Sequence, residues 1–225
     1  KELLLQIDGS LYYHELAVED VVLVVLKKYN RHTDQWQKCS GLQLDTTPES
    51  VWSLSSFSVA VSCGPNLYFL TNTEVHRYDP RQARWCKRTP PMISTDISSA
   101  VAMGTEIFCT DDHFTQTMVY DTESDSWQKL QGWPNPGNLF VGVDHVPSLF
   151  ALENQLHIML EAYNDTAIEE SPSEYFVYVY DRSADAWRDL KATLPDKSYT
   201  ALAHTPLCPV ARIYLPYLKG AQKHY

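Results

Sequence analysis

One interval restricts this chain more than any other: a tyrosine, then Asp or Asn, then five residues, then tryptophan. It occurs at Tyr29-Asn30 to Trp36, Tyr78-Asp79 to Trp85, Tyr120-Asp121 to Trp127 and Tyr180-Asp181 to Trp187. The tyrosines stand 49, 42 and 60 residues apart. Such spacing suits a repeat made of one four-stranded sheet, not of a helical pair.

The interval has a direct physical reading. Each tyrosine ends a strand-like run, as in Val75-His76-Arg77-Tyr78 and Val177-Tyr178-Val179-Tyr180. Asp or Asn then follows, and its short side chain can bond backbone two residues on and start a reversal. Pro80 presets that turn in the second copy. Tryptophan returns on the next strand, where it can lie across from tyrosine and add about 0.5–1.5 kcal/mol beyond the area buried. Equivalent hairpins of this kind each expose a face that a neighbouring unit must cover.

Two further strand-like runs precede each hairpin. The second repeat has Ser58–Val61 and Leu67–Leu70 around the turn Cys63-Gly64-Pro65-Asn66. The third has Ser99–Ala102 and Glu106–Cys109 around Met103-Gly104-Thr105, and the fourth Ser148–Ala151 and Gln155–Leu160 around Glu153-Asn154. In the first, Leu3–Ile7 and Ser10–Tyr13 flank Asp8-Gly9, and the apolar run Val21–Leu26 leads into Tyr29 as a strand buried on both faces. After Trp187, only Thr200–Ala203 and Val210–Leu215 remain as a partial repeat without its aromatic pair. The expected fold is therefore an all-β propeller of four-stranded antiparallel blades occupying 1–225 as one domain. Its repeats fall at about 1–45, 51–90, 93–133, 143–194 and a partial 198–218, giving five blades, with six as the alternative.

Bulk properties narrow the function. The chain has 225 residues, 44% of them hydrophobic, which is enough for a sizeable core. A formal charge of -10 argues against nucleic acid and anionic membranes and for a basic partner. The longest apolar run is far short of the roughly twenty residues a membrane helix needs, so no membrane insertion is expected. Five cysteines, with no CxxC and no pairing pattern, fit a reducing compartment, either the cytoplasm or the nucleus. The eight histidines show no HExxH and no ligand spacing, so no metal and no cofactor are expected; His76 and His157 read as core histidines within strands.

These residues resemble the kelch repeat. Tyr78-Asp79-Pro80-Arg81-Gln82-Ala83-Arg84-Trp85, followed by Arg88-Thr89-Pro90-Pro91-Met92, is similar to the family's Y-D-P-x4-W-x3-P-P-M segment position for position. The family's paired glycines after the second strand are missing: Leu70-Thr71-Asn72, Cys109-Thr110-Asp111 and Leu160-Glu161-Ala162 stand there. The resemblance implies a non-enzymatic protein-interaction module. It points to the substrate receptor of a cullin-RING ubiquitin ligase, in which an upstream BTB/BACK region contacts the cullin. A cytoskeletal or vesicle-associated scaffold without ubiquitin chemistry is the alternative, and a copper-oxidase propeller a remote one. The step from fold to role is analogy.

Recognition residues are expected on loops held by the rigid blades. The second-to-third-strand loop of the third repeat offers Asp111, Asp112, His113 and Phe114. That of the fourth, from about Glu161 to Glu174, offers Glu161, Asp165, Glu169 and Glu170 without a positive charge, and would steer a Lys/Arg-bearing segment. Between blades, Asp96, Trp133 and Asn138 complete the candidate set for a protein or peptide partner. The frame residues Tyr29, Trp36, Tyr78, Trp85, Tyr120, Trp127, Tyr180 and Trp187 are read as structural.

Overall fold

The computed structural model describes residues 4–45, 58–91, 97–111, 116–130, 148–162 and 174–190, with side chains of 160–162, 174 and 175 left aside. Every regular element among them is a strand. The first sheet holds β1 (Leu4–Ile7), β2 (Ser10–Val18), β3 (Val22–Asn30) and β4 (Gln35–Gln43), and the second β5 (Val59–Cys63), β6 (Asn66–Leu70), β7 (Val75–Asp79) and β8 (Arg84–Arg88). The third holds β9 (Ile97–Met103), β10 (Glu106–Asp111), β11 (Thr117–Asp121) and β12 (Ser126–Leu130). The fourth holds β13 (Ser148–Leu152), β14 (Gln155–Ala162), β15 (Glu174–Asp181) and β16 (Ala186–Asp189).

Each sheet pairs its strands in chain order, all antiparallel. The first strands of consecutive sheets, β1 with β5, β5 with β9 and β9 with β13, pack side by side, so they form the inner edge of the array. The four sheets are the blades of a β-propeller. A fifth blade would have to come from residues outside the described set.

The repeated interval lands as the spacing requires. Tyr29 faces Trp36 directly across the third and fourth strands, as do Tyr78 and Trp85, Tyr120 and Trp127, and Tyr180 and Trp187. Ring centroids lie 5.4, 5.1, 5.0 and 5.3 Å apart, all tilted. The turn chemistry also repeats. Asn30, Asp79, Asp121 and Asp181 each accept from the amides two and three residues on, at 2.8–3.4 Å. The residue two before each tryptophan, Asp34, Ala83, Asp125 or Asp185, takes a left-handed backbone with φ of 47–57°. Asp tolerates that region better than most residues with a Cβ.

The core is the set of seams between blades. Tyr78 packs with Leu5, Ile7, Val24 and Leu26 of the first blade. Tyr120 packs with Cys63, Tyr68 and Leu70 of the second, and Tyr180 and Trp187 with Phe108, Val119 and Leu130 of the third. The Tyr–Trp faces of the second, third and fourth blades are thus covered by the blade before them. The Val21–Leu26 run becomes the heart of β3, where Val22, Val24 and Leu26 are fully buried. Strand β2 outruns its expected end at Tyr13 because its backbone ladder with β3 continues to Val18 opposite Val22.

Candidate functional site

Antiparallel chain-order sheets give the propeller two unlike rims. At one rim the first-to-second turns and the Tyr–Asp hairpins meet, and they are tightly bonded. The hydroxyls of Tyr29, Tyr120 and Tyr180 donate to Asp34, Asp125 and Asp185, which sit at the left-handed position of their own hairpins. This third fixed residue was legible in the sequence, as Asp two before Trp in three copies, and the sequence reading passed over it. In the second copy Ala83 stands there, and Tyr78 meets Cys39 of the first blade instead.

The same hairpins reach across seams. Thr89 N–H donates to Asp125 at 3.0 Å, Trp127 Nε1–H donates to the Thr89 carbonyl at 2.9 Å, and Arg88 lies 3.2 Å from the Tyr120 hydroxyl and 3.4 Å from Asp125. Arg182 makes a bidentate pair with Glu106 of the third blade, both contacts at 2.6 Å. Burial and the neighbouring Asp125 push the Tyr120 phenol up. For Asp125, burial opposes ionisation, but Tyr120, the Thr89 amide and Arg88 outweigh it and hold the carboxyl low. This rim is committed to structure.

At the other rim lie the second-to-third-strand loops and the links between blades. In the first blade Glu19 and Asp20 are exposed on a short turn. In the second, Thr71 closes residues 71–74 by accepting from the amides of Thr73 (3.2 Å) and Glu74 (2.9 Å) through its hydroxyl. Buried Glu74 takes the Asp45 amide at 3.0 Å and lies 2.7 Å from His76 Nε2, tying this loop to the end of the first blade. Exposed Asp45 pairs with Lys87 at 2.5 Å, which holds its carboxyl low.

Asp111 differs from its sequence reading. Expected as a loop carboxylate for a partner, it ends β10, is 1% exposed and accepts from the Gln116 amide at 3.2 Å. It clamps the loop from inside, as Thr71 does in the second blade. Both lie where kelch repeats carry paired glycines, so a side-chain oxygen closes the loop there. Glu161 lies in the β14 ladder opposite Tyr175, within a strand and not in the expected loop. Asp96, Asp112, His113, Phe114, Trp133, Asn138, Asp165, Glu169 and Glu170 lie outside the described residues. Glu19 and Asp20 join the rim as acidic groups that sequence reasoning missed, because two carboxylates in a three-residue link between strands carry no local signal of which rim they reach.

Among the described residues no three His, Cys, Asp or Glu side chains converge as a metal would require. His76 and His157 are buried in strands, the latter stacked on Phe150 at 5.1 Å. Burial pushes the Cys63 and Cys109 thiols up, away from nucleophilic character. A cavity of about 150 Å³ between the third and fourth blades, lined by Phe108, Gln128, Leu130, Tyr180 and Arg182, is smaller than small-molecule sites usually are. No described helix is long and apolar enough to cross a membrane.

Repeated Tyr–Trp hairpins in chain-order four-stranded blades make this fold a kelch-type β-propeller. No family model matches the sequence. Kelch-like protein 15 of Danio rerio is 24% identical over 107 residues, which covers 44% of this chain and 18% of that protein. The chain therefore spans under a fifth of this relative's length. A solved structure titled "Structure of YjhT" superposes with a TM-score of 0.54 at 11% identity, over 86% of this chain and 70% of that one. It supports the fold alone.

Proposed function

We propose that this propeller is a recognition module that binds a basic protein segment across the rim of second-to-third-strand loops, as the substrate-binding part of a BTB-kelch ubiquitin-ligase adaptor in the cytoplasm. The observation that carries the reading is the asymmetry of the rims. One is consumed by bonds within and between blades, while the other varies its loops from the short turn at Glu19-Asp20 to the insertion over 163–173. Variable loops on a fixed scaffold are where recognition evolves.

Charge supports the choice of partner. Glu19 and Asp20 are exposed, and the sequence adds Asp112, Asp165, Glu169 and Glu170 in loops of the same rim, within a chain of net charge -10. Carboxylates arrayed this way accelerate encounter with a cationic segment and do so less at high salt. The ubiquitin step rests on the kelch resemblance and on Kelch-like protein 15 as a relative, and any cullin contact would be made by a BTB region outside this chain. Catalysis by the propeller itself is no part of the reading.

The test uses the full-length protein. Substituting Glu19, Asp20, Asp112, Glu169 and Glu170 by Lys should abolish capture of the bound partner while the fold persists. Cullin should co-precipitate with both versions, and the partner's half-life should lengthen when only the substituted one is expressed. Unchanged partner capture would remove this rim from the site. Capture without cullin and without altered turnover would favour a scaffold.

A further inference from the structure

One seam on the hairpin rim is filled differently from its neighbour. Between the second and third blades, two arginines of the second stand against the third. Arg77 shares the strand face of Val75, which packs toward the third blade, and its cross-strand neighbours are Tyr68 and Cys86. Arg88 carries its guanidinium to the Tyr120 hydroxyl and to Asp125, at 3.2 and 3.4 Å. One blade later the corresponding ladder reads Phe108, Val119, Gln128, so Val119 stands where Arg77 does. Leu130, three residues after Trp127 as Arg88 is after Trp85, stands where Arg88 does. Two long cationic side chains are thus replaced by shorter apolar ones. The hairpin opposite is unchanged, since the Tyr180 hydroxyl donates to Asp185 as Tyr120 does to Asp125. The space that results is the cavity of about 150 Å³ between the third and fourth blades.

We infer that this cavity is a socket for the side chain of one arginine on a partner protein, seated as Arg88 is seated one blade earlier. The lining is divided as that side chain is. Buried Phe108, Val119 and Leu130 offer an apolar wall to the methylene stem, and Gln128, Tyr180 and Asp185 offer acceptors to the planar head. The volume is that of a single side chain rather than of a small-molecule site. Charge favours a cation: Arg182, the cation in the lining, has both terminal nitrogens on Glu106 at 2.6 Å, which leaves Asp185 to set the local sign. The hairpin bond of Asp185 is no obstacle, because Asp125 accepts from Tyr120 and from the Thr89 amide and still lies beside Arg88. The socket lies on the rim opposite Glu19 and Asp20, so it stands apart from the proposed loop-rim site.

The test uses the full-length protein and N-acetylarginine amide with a diazirine in its acyl cap. Illumination should label β12 and the hairpin between β15 and β16, and unmodified N-acetylarginine amide should suppress that label. The citrulline counterpart, similar in shape but neutral, should label roughly tenfold less, because it lacks the charge-assisted bond. Asp185→Asn keeps a residue that tolerates the φ of 47° there and should cut labelling to a similar degree. Leu130→Arg should abolish it by plugging the socket with the cation of the neighbouring seam; if that variant does not fold, Asp185→Asn decides. Glu19→Lys with Asp20→Lys should leave this label unchanged whatever happens to the loop rim. Equal labelling by the citrulline probe, labelling indifferent to Asp185→Asn, or no label at this seam would each overturn the inference.

Discussion

The Trp127 indole N–H donates to the Thr89 carbonyl across a blade boundary at 2.9 Å, while the equivalent atom of Trp85 is buried with no partner among the described residues. Two residues in the same frame, with the same ring contact to tyrosine, are therefore held by different forces. A buried polar atom without a partner costs stability, and one with a partner returns a net ~1 kcal/mol.

Replacing each tryptophan by phenylalanine separates the two. Trp127→Phe should lower unfolding free energy by about 0.5–1.5 kcal/mol, the net worth of one hydrogen bond, since the exposed Thr89 carbonyl can turn to water. Trp85→Phe loses ring area but also removes an orphaned donor, so it should cost clearly less. Urea titration of both variants checks the order, and equal losses would discount the Thr89 bond.

Ala83 holds a left-handed backbone with φ of 49°, where the other three copies have Asp. Ala83→Asp puts a tolerant residue in that region and a carboxylate beside the Tyr78 hydroxyl. The expected gain is up to about 1 kcal/mol, read as a raised Tm. A lower Tm would mean that the Cys39 contact of Tyr78 excludes the carboxylate.

Asp111 is buried and accepts from the Gln116 amide, which makes it a clamp on its loop. Asp111→Ala should destabilise by about 1–3 kcal/mol through the Gln116 amide it leaves unpaired. Binding per folded molecule should stay within a small factor of the parent. A large affinity loss at unchanged stability would restore Asp111 to the recognition surface.

His14 makes the first seam acid-sensitive. It is 6% exposed, lies edge-on to Phe69 at 5.7 Å, and has a buried Nδ1 without a partner among the described residues. Burial lowers its pKa from 6.5 to about 4. The unfolded imidazole takes a proton near 6.5 and the folded one only near 4, so stability falls as pH drops through that window, by about 3 kcal/mol in all. Asp125, held low in the folded state, loses its contribution only below the ordinary carboxylate range. Denaturation between pH 7 and 4 should show the slope in the parent and a flatter profile in His14→Phe. Parallel profiles would assign the acid sensitivity elsewhere.

The sequence determined the blade by itself. The Tyr-to-Trp interval fixes a hairpin whose two rings must oppose each other, because period-two alternation and a four-residue reversal leave no other register. It also carried the strands before each hairpin, since turns such as Cys63-Gly64-Pro65-Asn66 punctuate them. Tertiary structure decided which groups remain available. Asp111 and Thr71 occupy positions that look alike for a loop, yet burial turns both into internal clamps, and Trp36 and Trp187 share one frame but differ in whether a described blade stands against them. Exposure depends on neighbours far away in the chain, and no local interval encodes it.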